Sequence, residues 1–248
     1  MQSLLPLALF LLFTGAAAGS FLALCAERLP HGEGVVLRSS RCRACGARIR
    51  WRDLVPVISW LRLGGGCRGC GAAIPRWLFH AELGGVALAA TAILVAPTPA
   101  IMALGALWLW LLMGLALCDL VAMRLPDALT GALFVTGLAL GVQGPGAAPA
   151  LIGAGVGAGC FLAIRLGYEG LRGREGLGMG DVKLIAGIGA ALGWAALPLV
   201  ALIAALGALA ITLLLHRGSV ARDAEIPFGA YLCGAAALVW ILSGSVAA

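Results

Sequence analysis

Eight apolar runs, with almost every charge confined to the gaps between them, constrain this chain more than any other feature. They extend from about Leu4 to Cys25, Phe79 to Ala96, Ala100 to Cys118, Ala128 to Val142, Ala150 to Leu166, Val182 to Leu192, Ala195 to Leu215 and Pro227 to Val246. A helix rises ~1.5 Å per residue and the hydrocarbon core of a bilayer is about 30 Å thick, so a run of roughly 20 apolar residues reads as one crossing. The stretch from Val182 to Leu215 is too long for one crossing, and Gly193-Trp194 is where it is expected to break. Of the 248 residues 62% are hydrophobic and 11% charged, too little polar surface to coat a water-soluble particle. The expected fold class is an all-α polytopic membrane protein with about eight transmembrane helices. Disorder and a disulfide-dense secreted mini-protein are excluded by the same composition.

The charges give the expected orientation. Ten of the 17 Lys and Arg lie between Arg28 and Arg76, against Glu27, Glu33 and Asp53, so this segment carries +7 and the rest of the chain −1. With the N-terminus outside, the inner segments are residues 26–78, 119–127, 167–182 and 216–226, and all the Lys and Arg lie in or beside them. None belongs to the outer turns Pro97-Thr98-Pro99, Gln143 to Pro149 or Gly193-Trp194, as the positive-inside bias requires. The basic loop also offers a surface to anionic lipid headgroups. Nucleic acid is not an expected partner, because no stacking platform is interleaved with the basic residues. Ala16-Ala17-Ala18 has the look of a signal cleavage site, but no positive region precedes it, so the first run reads as a retained anchor.

Cys42-Arg43-Ala44-Cys45 and Cys67-Arg68-Gly69-Cys70 form two C-x-x-C knuckles, each followed by glycine, at Gly46 and Gly71. Four thiolates so spaced suit a closed, tetrahedral, structural Zn²⁺ site, and a loop with so small an apolar cluster needs such a staple to fold. Redox dithiols and disulfides are the rival readings, disfavoured by the matched knuckles and by a cytosolic location. The expected division is a first anchor at 1–26, a zinc-binding domain at 27–78 and a seven-helix membrane domain at 79–248. Cys25, Cys118, Cys160 and Cys233 have no partner spacing and read as small buried hydrophobes. His31, His80 and His216 have no ligand spacing.

Acidic groups beside a bilayer are costly and therefore candidates for function. Asp119 is expected to end the third span, and Asp181, after Gly178-Met179-Gly180, to begin the sixth, on the same membrane face. Two carboxyls brought together share a proton: one acts as general base on a water and the other polarises a carbonyl, the chemistry of aspartyl proteolysis. Gly178 and Gly180 would allow backbone or a substrate strand to come close. The blander roles are an N-cap for Asp181 and a solvated charge for Asp119; Asp127, after Pro126, is assigned a cap. Glu82 is an embedded acid expected to pair with Arg76 or to bind a substrate amine.

Taken in order, these residues resemble the type IV prepilin peptidase family of G-x-G-D membrane aspartyl proteases. The resemblance rests on Gly19-Ser20-Phe21-Leu22 with Arg28-Leu29-Pro30, the two knuckles flanking Val55 to Leu61, Glu82, Asp119 with Leu125 to Thr130, Gly178 to Leu184, and Ile226 to Leu232. It implies a bacterial inner-membrane enzyme that cuts the basic leader of prepilins or type II secretion pseudopilins at the cytoplasmic face and N-methylates the new terminus with S-adenosylmethionine. It also implies Asp119 and Asp181 as the catalytic pair, with Gly178, Gly180 and Lys183 supporting. Cys42, Cys45, Cys67 and Cys70 are then the zinc ligands, Glu82 a substrate-binding candidate, and both termini periplasmic. Two departures stand out, Ala23 where the family usually has Asn and Ala230 where it usually has Pro, and neither is expected to touch the aspartates. A glycine-rich methyltransferase fingerprint with an acidic ribose partner is absent from the sequence. The competing classes are a peptidase without methyl transfer, a proton-coupled transporter, whose acids should lie at mid-depth, and a structural platform for a secretion machine.

Overall fold

The computed structural model describes residues 4–35, 39–144, 146–174, 176–216 and 226–246. Its helices are α1 (Leu5–Arg28), α2 (Ile58–Arg62), α3 (Arg76–Val95), α4 (Pro99–Ala122), α5 (Asp127–Gln143), α6 (Ala147–Arg172), α7 (Met179–Leu192), α8 (Leu197–His216) and α9 (Phe228–Val246). Local signals set several ends. Thr98 caps α4 by accepting from the Ile101 N–H at 3.2 Å, with Pro99 in the first position. Gly173 (φ +65°) ends α6, and Gly193 (φ +78°) separates α7 from α8, so the long apolar stretch breaks where expected.

Five helices, α1, α3, α4, α6 and α8, are long and apolar enough to cross a membrane by themselves. The other three of the eight apolar helices, α5, α7 and α9, are shorter or qualify over fewer residues. Small residues let the bundle close. A Cβ on Gly15 of α1 would stand 2.6 Å from the Gly85 carbonyl oxygen of α3, so only glycine permits that crossing, and Gly15 and Gly19 form the G-x-x-x-G spacing that brings helix backbones together. Around α7, Gly137 and Gly141 of α5 and Gly153 of α6 press on Gly187, Ala190 and Gly189 in the same way. The central helix is α4, packed against α1, α3, α5 and α9, with Trp108, Leu109, Leu112 and Leu115 fully buried. Trp110 of α4 donates its ring N–H to the Gly85 carbonyl at 2.8 Å, tying α4 to the α1–α3 crossing.

Several expected boundaries shift because the helices run beyond their apolar stretches. α4 continues past Cys118, which places Asp119 inside its last turn rather than after its end. α6 continues to Arg172, so most of the expected inner segment 167–182 is helix and only a short turn precedes α7. Cys25, Cys118 and Cys233 are buried as expected, whereas Cys160 is exposed on the outer face of α6. Residues 217–225 of the last expected inner segment lie outside the described residues.

Candidate aspartate site and cysteine cluster

The two knuckles fold alike. In each, the first Cys N–H donates to the carbonyl of the residue five on (Ala47, Ala72), and its carbonyl accepts from the glycine four on (Gly46, Gly71). Gly46 and Gly71 take φ of +70° and +72°, and one antiparallel bridge closes each knuckle, Arg41 with Arg48 and Gly66 with Ala73. Four thiolates held ~2.3 Å from one zinc ion stand about 3.8 Å apart. The Sγ atoms of Cys42 and Cys70 are 3.8 Å apart, and all four Sγ atoms lie within 4.8 Å of one another, so the set fits a metal ion. Backbone N–H groups of Cys45 and Ala44 bring the Cys42 thiol down to about 6, while the neighbouring thiols push Cys70 up to about 11, so without a bound cation the four sulfurs do not all ionise together.

The arginine inside each knuckle fastens it to the frame. Arg43 pairs with Glu27 at the end of α1, and Arg68 grips Asp53 through two bonds, Nε to Oδ2 at 2.9 Å and Nη2 to Oδ1 at 2.6 Å. The Arg68 guanidinium holds the Asp53 carboxyl below the usual carboxylate range. Glu82, on the second turn of α3, accepts from the Val57 N–H at 2.7 Å and does not pair with Arg76. Val57 is a β-branched residue at φ +63°, ψ −56°, the centre of a tight turn in which the Ile58 N–H reaches the Pro56 carbonyl at 2.6 Å. Glu27, Asp53 and Glu82 are thus engaged within the chain.

The aspartates meet elsewhere. A cavity of about 390 Å³ is lined by Leu29, Pro30, Asp119, Met123 to Asp127, Gly178, Gly180 and Asp181. It forms where the last turn of α4 meets the first turns of α5 and α7, so a carboxyl on α4 and another on α7 share one space, and the first turn of α9 lies against both carboxyls. The gap between them is set by Gly229 of α9: a Cβ there would stand 3.1 Å from Asp119 Oδ2 and 3.1 Å from Asp181 Oδ1. Asp119 is buried and accepts from the Ala230 N–H at 2.8 Å to Oδ2. A free N–H group at the start of α9 therefore fixes its carboxyl. Two non-helical links shape the rest of the wall. Met123, at φ +49°, reverses the chain with its N–H on the Asp119 carbonyl at 2.8 Å, and Arg124 Nη1 donates to the Pro30 carbonyl at 3.0 Å. Arg165 of α6 donates to the Leu177 carbonyl at 2.7 Å, holding the turn that leads to Gly178.

Some assignments made from the sequence change. Asp127 does not cap α5: Pro126 takes the N-cap position, and Asp127 Oδ1 lies 2.6 Å from Lys183 Nζ, bridging α5 and α7 at the cavity edge. Asp181 is not an N-cap either, since Gly178 holds that position and Asp181 stands three residues inside α7. The bare face of Gly180 is filled by Leu125, whose Cβ would lie 3.0 Å from a Cβ at 180, so this close approach serves packing. Ala230, expected to be remote from the aspartates, contacts Asp119 directly, through an N–H that the proline usual at this position would lack. Gly229, Leu29, Pro30 and Arg124 were given no individual role from the sequence. The first three had the signal of membership in the motifs Ile226 to Leu232 and Arg28-Leu29-Pro30, and Arg124 had none beyond its place between Asp119 and Leu125.

Residues 13–96 match the bacterial peptidase A24 N-terminal domain, and residues 104–213 match the type IV leader peptidase family. Among curated proteins, the chain is similar to a prepilin leader peptidase/N-methyltransferase of Aeromonas salmonicida, 41% identical over 209 residues, covering 81% of this chain and 71% of that one. The protein of the same description from Burkholderia pseudomallei is 38% identical over 218 residues (86% and 70%), and that from Klebsiella pneumoniae 36% over 204 residues (79% and 89%). No solved structure matches.

Proposed function

Because this chain belongs to the type IV leader peptidase family, we propose that it is an inner-membrane aspartic peptidase that removes the leader of type IV prepilins or type II secretion pseudopilins and N-methylates the new terminus. The observation that best supports this reading is that Asp119 and Asp181 line one cavity at helix ends, each with a carboxyl oxygen close to Gly229. A transporter relay is not favoured, because these acids gather at helix ends rather than at mid-depth.

In the proposed reaction a water between the two carboxyls gives a proton to the ionised one and attacks the scissile carbonyl carbon, while the protonated one donates to the carbonyl oxygen. The tetrahedral intermediate collapses with cleavage of the C–N bond. The leaving nitrogen takes the proton held by the first carboxyl, and the oxygen returns its proton to the second, restoring the pair. The amide of Ala230 orients Asp119, and the turns held by Arg124 and Arg165 set the walls around the pair. Lys183 and Asp127 brace α7 against α5.

Cys42, Cys45, Cys67 and Cys70 would hold a Zn²⁺ ion with a structural role, since a four-thiolate site leaves no open position. S-adenosylmethionine, when bound, would supply the methyl group for the new terminal amine. Among the described residues there is no glycine-rich loop with an acidic ribose partner, and no side chain is assigned to that step. In this reading the cysteine domain (27–78) and the aspartates face the cytoplasm and both termini the periplasm, which the positive charge of the loop supports. The test is purified protein in lipid with a prepilin: cleavage and one added methyl on the new terminus are expected. An intact prepilin would overturn the reading, and an unmethylated product would reduce it to a peptidase.

A further inference from the structure

We propose that residues 50–62 of the cysteine domain form a membrane-interface anchor, with Trp51, Leu54, Val55, Ile58 and Leu61 seated at the headgroup–acyl boundary and Arg50, Arg52 and Arg62 on anionic headgroups.

The segment carries large apolar side chains that nothing in the chain covers. Trp51 is 82% exposed, Leu61 60% and Ile58 56%, and Leu54 and Val55 are also exposed. Ile58 and Leu61, three apart, share one face of α2. The other side of the same segment packs on the chain: Ser59 is buried with its hydroxyl on the Arg52 carbonyl at 3.1 Å, and Trp60 stacks on Phe79 of α3 with ring centroids 4.4 Å apart. Apolar clusters of this kind, interleaved with cations and including Trp, suit the membrane interface.

Position selects the occupant. Val57 is hydrogen-bonded to Glu82, and Trp60 to Phe79 is a ring stack, so α2 and the turn before it are fastened to the first two turns of a membrane-crossing helix. Glu82 lies six residues, or about 9 Å, along α3 from its first residue, Arg76. Interfacial segments bury their apolar face only about 5–10 Å into this boundary, so attachment to the end of a membrane-crossing helix rather than its middle suits such an anchor. Charge makes the same choice. Arg50, Arg52 and Arg62 are exposed in a segment of net +7, and Asp53, the acid among them, is taken by Arg68. Such a surface repels a cationic partner and is complementary to anionic lipid. The strained Val57 turn then has a use: it turns the chain so that Ile58 follows the Glu82 contact directly, bringing the exposed face of α2 to the level of the lipid.

The test uses the full chain in vesicles and compares its emission with that of Trp51→Phe, so that the difference reports Trp51 alone. With phosphatidylglycerol in a phosphatidylcholine bilayer, acyl chains brominated near the carbonyl should quench Trp51, and acrylamide in the water should not. Arg50→Gln/Arg52→Gln/Arg62→Gln should lower the docking equilibrium by about five-fold for each arginine removed and abolish its dependence on phosphatidylglycerol. Ile58→Asp/Leu61→Asp should abolish quenching in either bilayer. Trp51 open to acrylamide and indifferent to brominated chains in every vesicle would overturn the anchor. So would Trp51 shielded from both quenchers until the protein is diluted into excess lipid, which would assign the face to a second copy. The Trp51→Phe comparison across lipids stands even if the other variants fail to fold, and it needs no substrate.

Discussion

The cysteine cluster and the aspartate cavity are both small sets of like groups held close together, yet they are built in opposite ways. Each knuckle draws its ligands, its turn glycine and its bridge from within ten residues, and the two knuckles repeat the same backbone hydrogen bonds. The cavity draws on Leu29-Pro30, the end of α4, the starts of α5 and α7, and the gap over Gly229 of α9, parts separated by as much as two hundred residues. A local site survives changes elsewhere in the bundle. A site assembled from helix ends depends on every crossing that brings those ends together.

The sharpest separation of the two regions is expected from Asp119→Asn and Asp181→Asn. Each should lower prepilin cleavage by about 10²–10⁴-fold or more in a purified assay, with metal content unchanged, because neither residue contacts the cysteine loop. Wild-type cleavage by either variant would break the comparison at its centre. Next in size is Gly229→Ala, which puts a methyl group 3.1 Å from both carboxyl oxygens and should cost about 10²-fold in kcat with little change in KM. Gly234→Ala on the same helix meets nothing within 4 Å and should leave kcat intact, so equal losses in the two variants would point to helix instability instead.

Metal removal probes the other side. Cys42→Ser or a chelator should release about one zinc per chain and open residues 41–74 to protease, while the helices around the cavity keep their Tm. Loss of the whole fold would show that the module is not independent. The smallest effect is expected from Asp53. Its carboxyl is held below the ordinary value by Arg68, so the contribution of that pair to stability is complete above about pH 4 and disappears as pH falls through the lower, folded-state value. Protease sensitivity of the module should rise on acidification in that window, and Arg68→Gln should raise the sensitivity at neutral pH and flatten its change across the window.

The zinc-type cluster was legible in the sequence because its geometry is a matter of spacing: two C-x-x-C pairs with glycine after each admit few other foldings. The aspartates were legible for a different reason, scarcity, since an acid in an apolar chain has few bland uses. What they rest against was not legible. Ala230 was expected to be remote, and its contact with Asp119 exists only because α9 packs on α4 and starts at the level of the last α4 turn. Asp127 looked like a helix cap, and the nearness of Lys183 on α7 gave its carboxylate a different partner. Glu82 was expected to meet Arg76 or a substrate amine, and a strained turn twenty-five residues earlier takes its carboxylate instead.

The sequence by itself determined that the chain is a bundle of apolar helices, which loop is basic, where the cysteines would gather and which two acids to watch. These follow from local periodicity, charge and spacing. The tertiary structure decided which helix ends meet, that Gly229 sets the gap between the carboxyls, and which polar groups are already committed. Those facts depend on glycine-lined helix crossings, where a contact between distant residues is fixed by how closely two backbones can approach, and no short stretch of sequence records that distance.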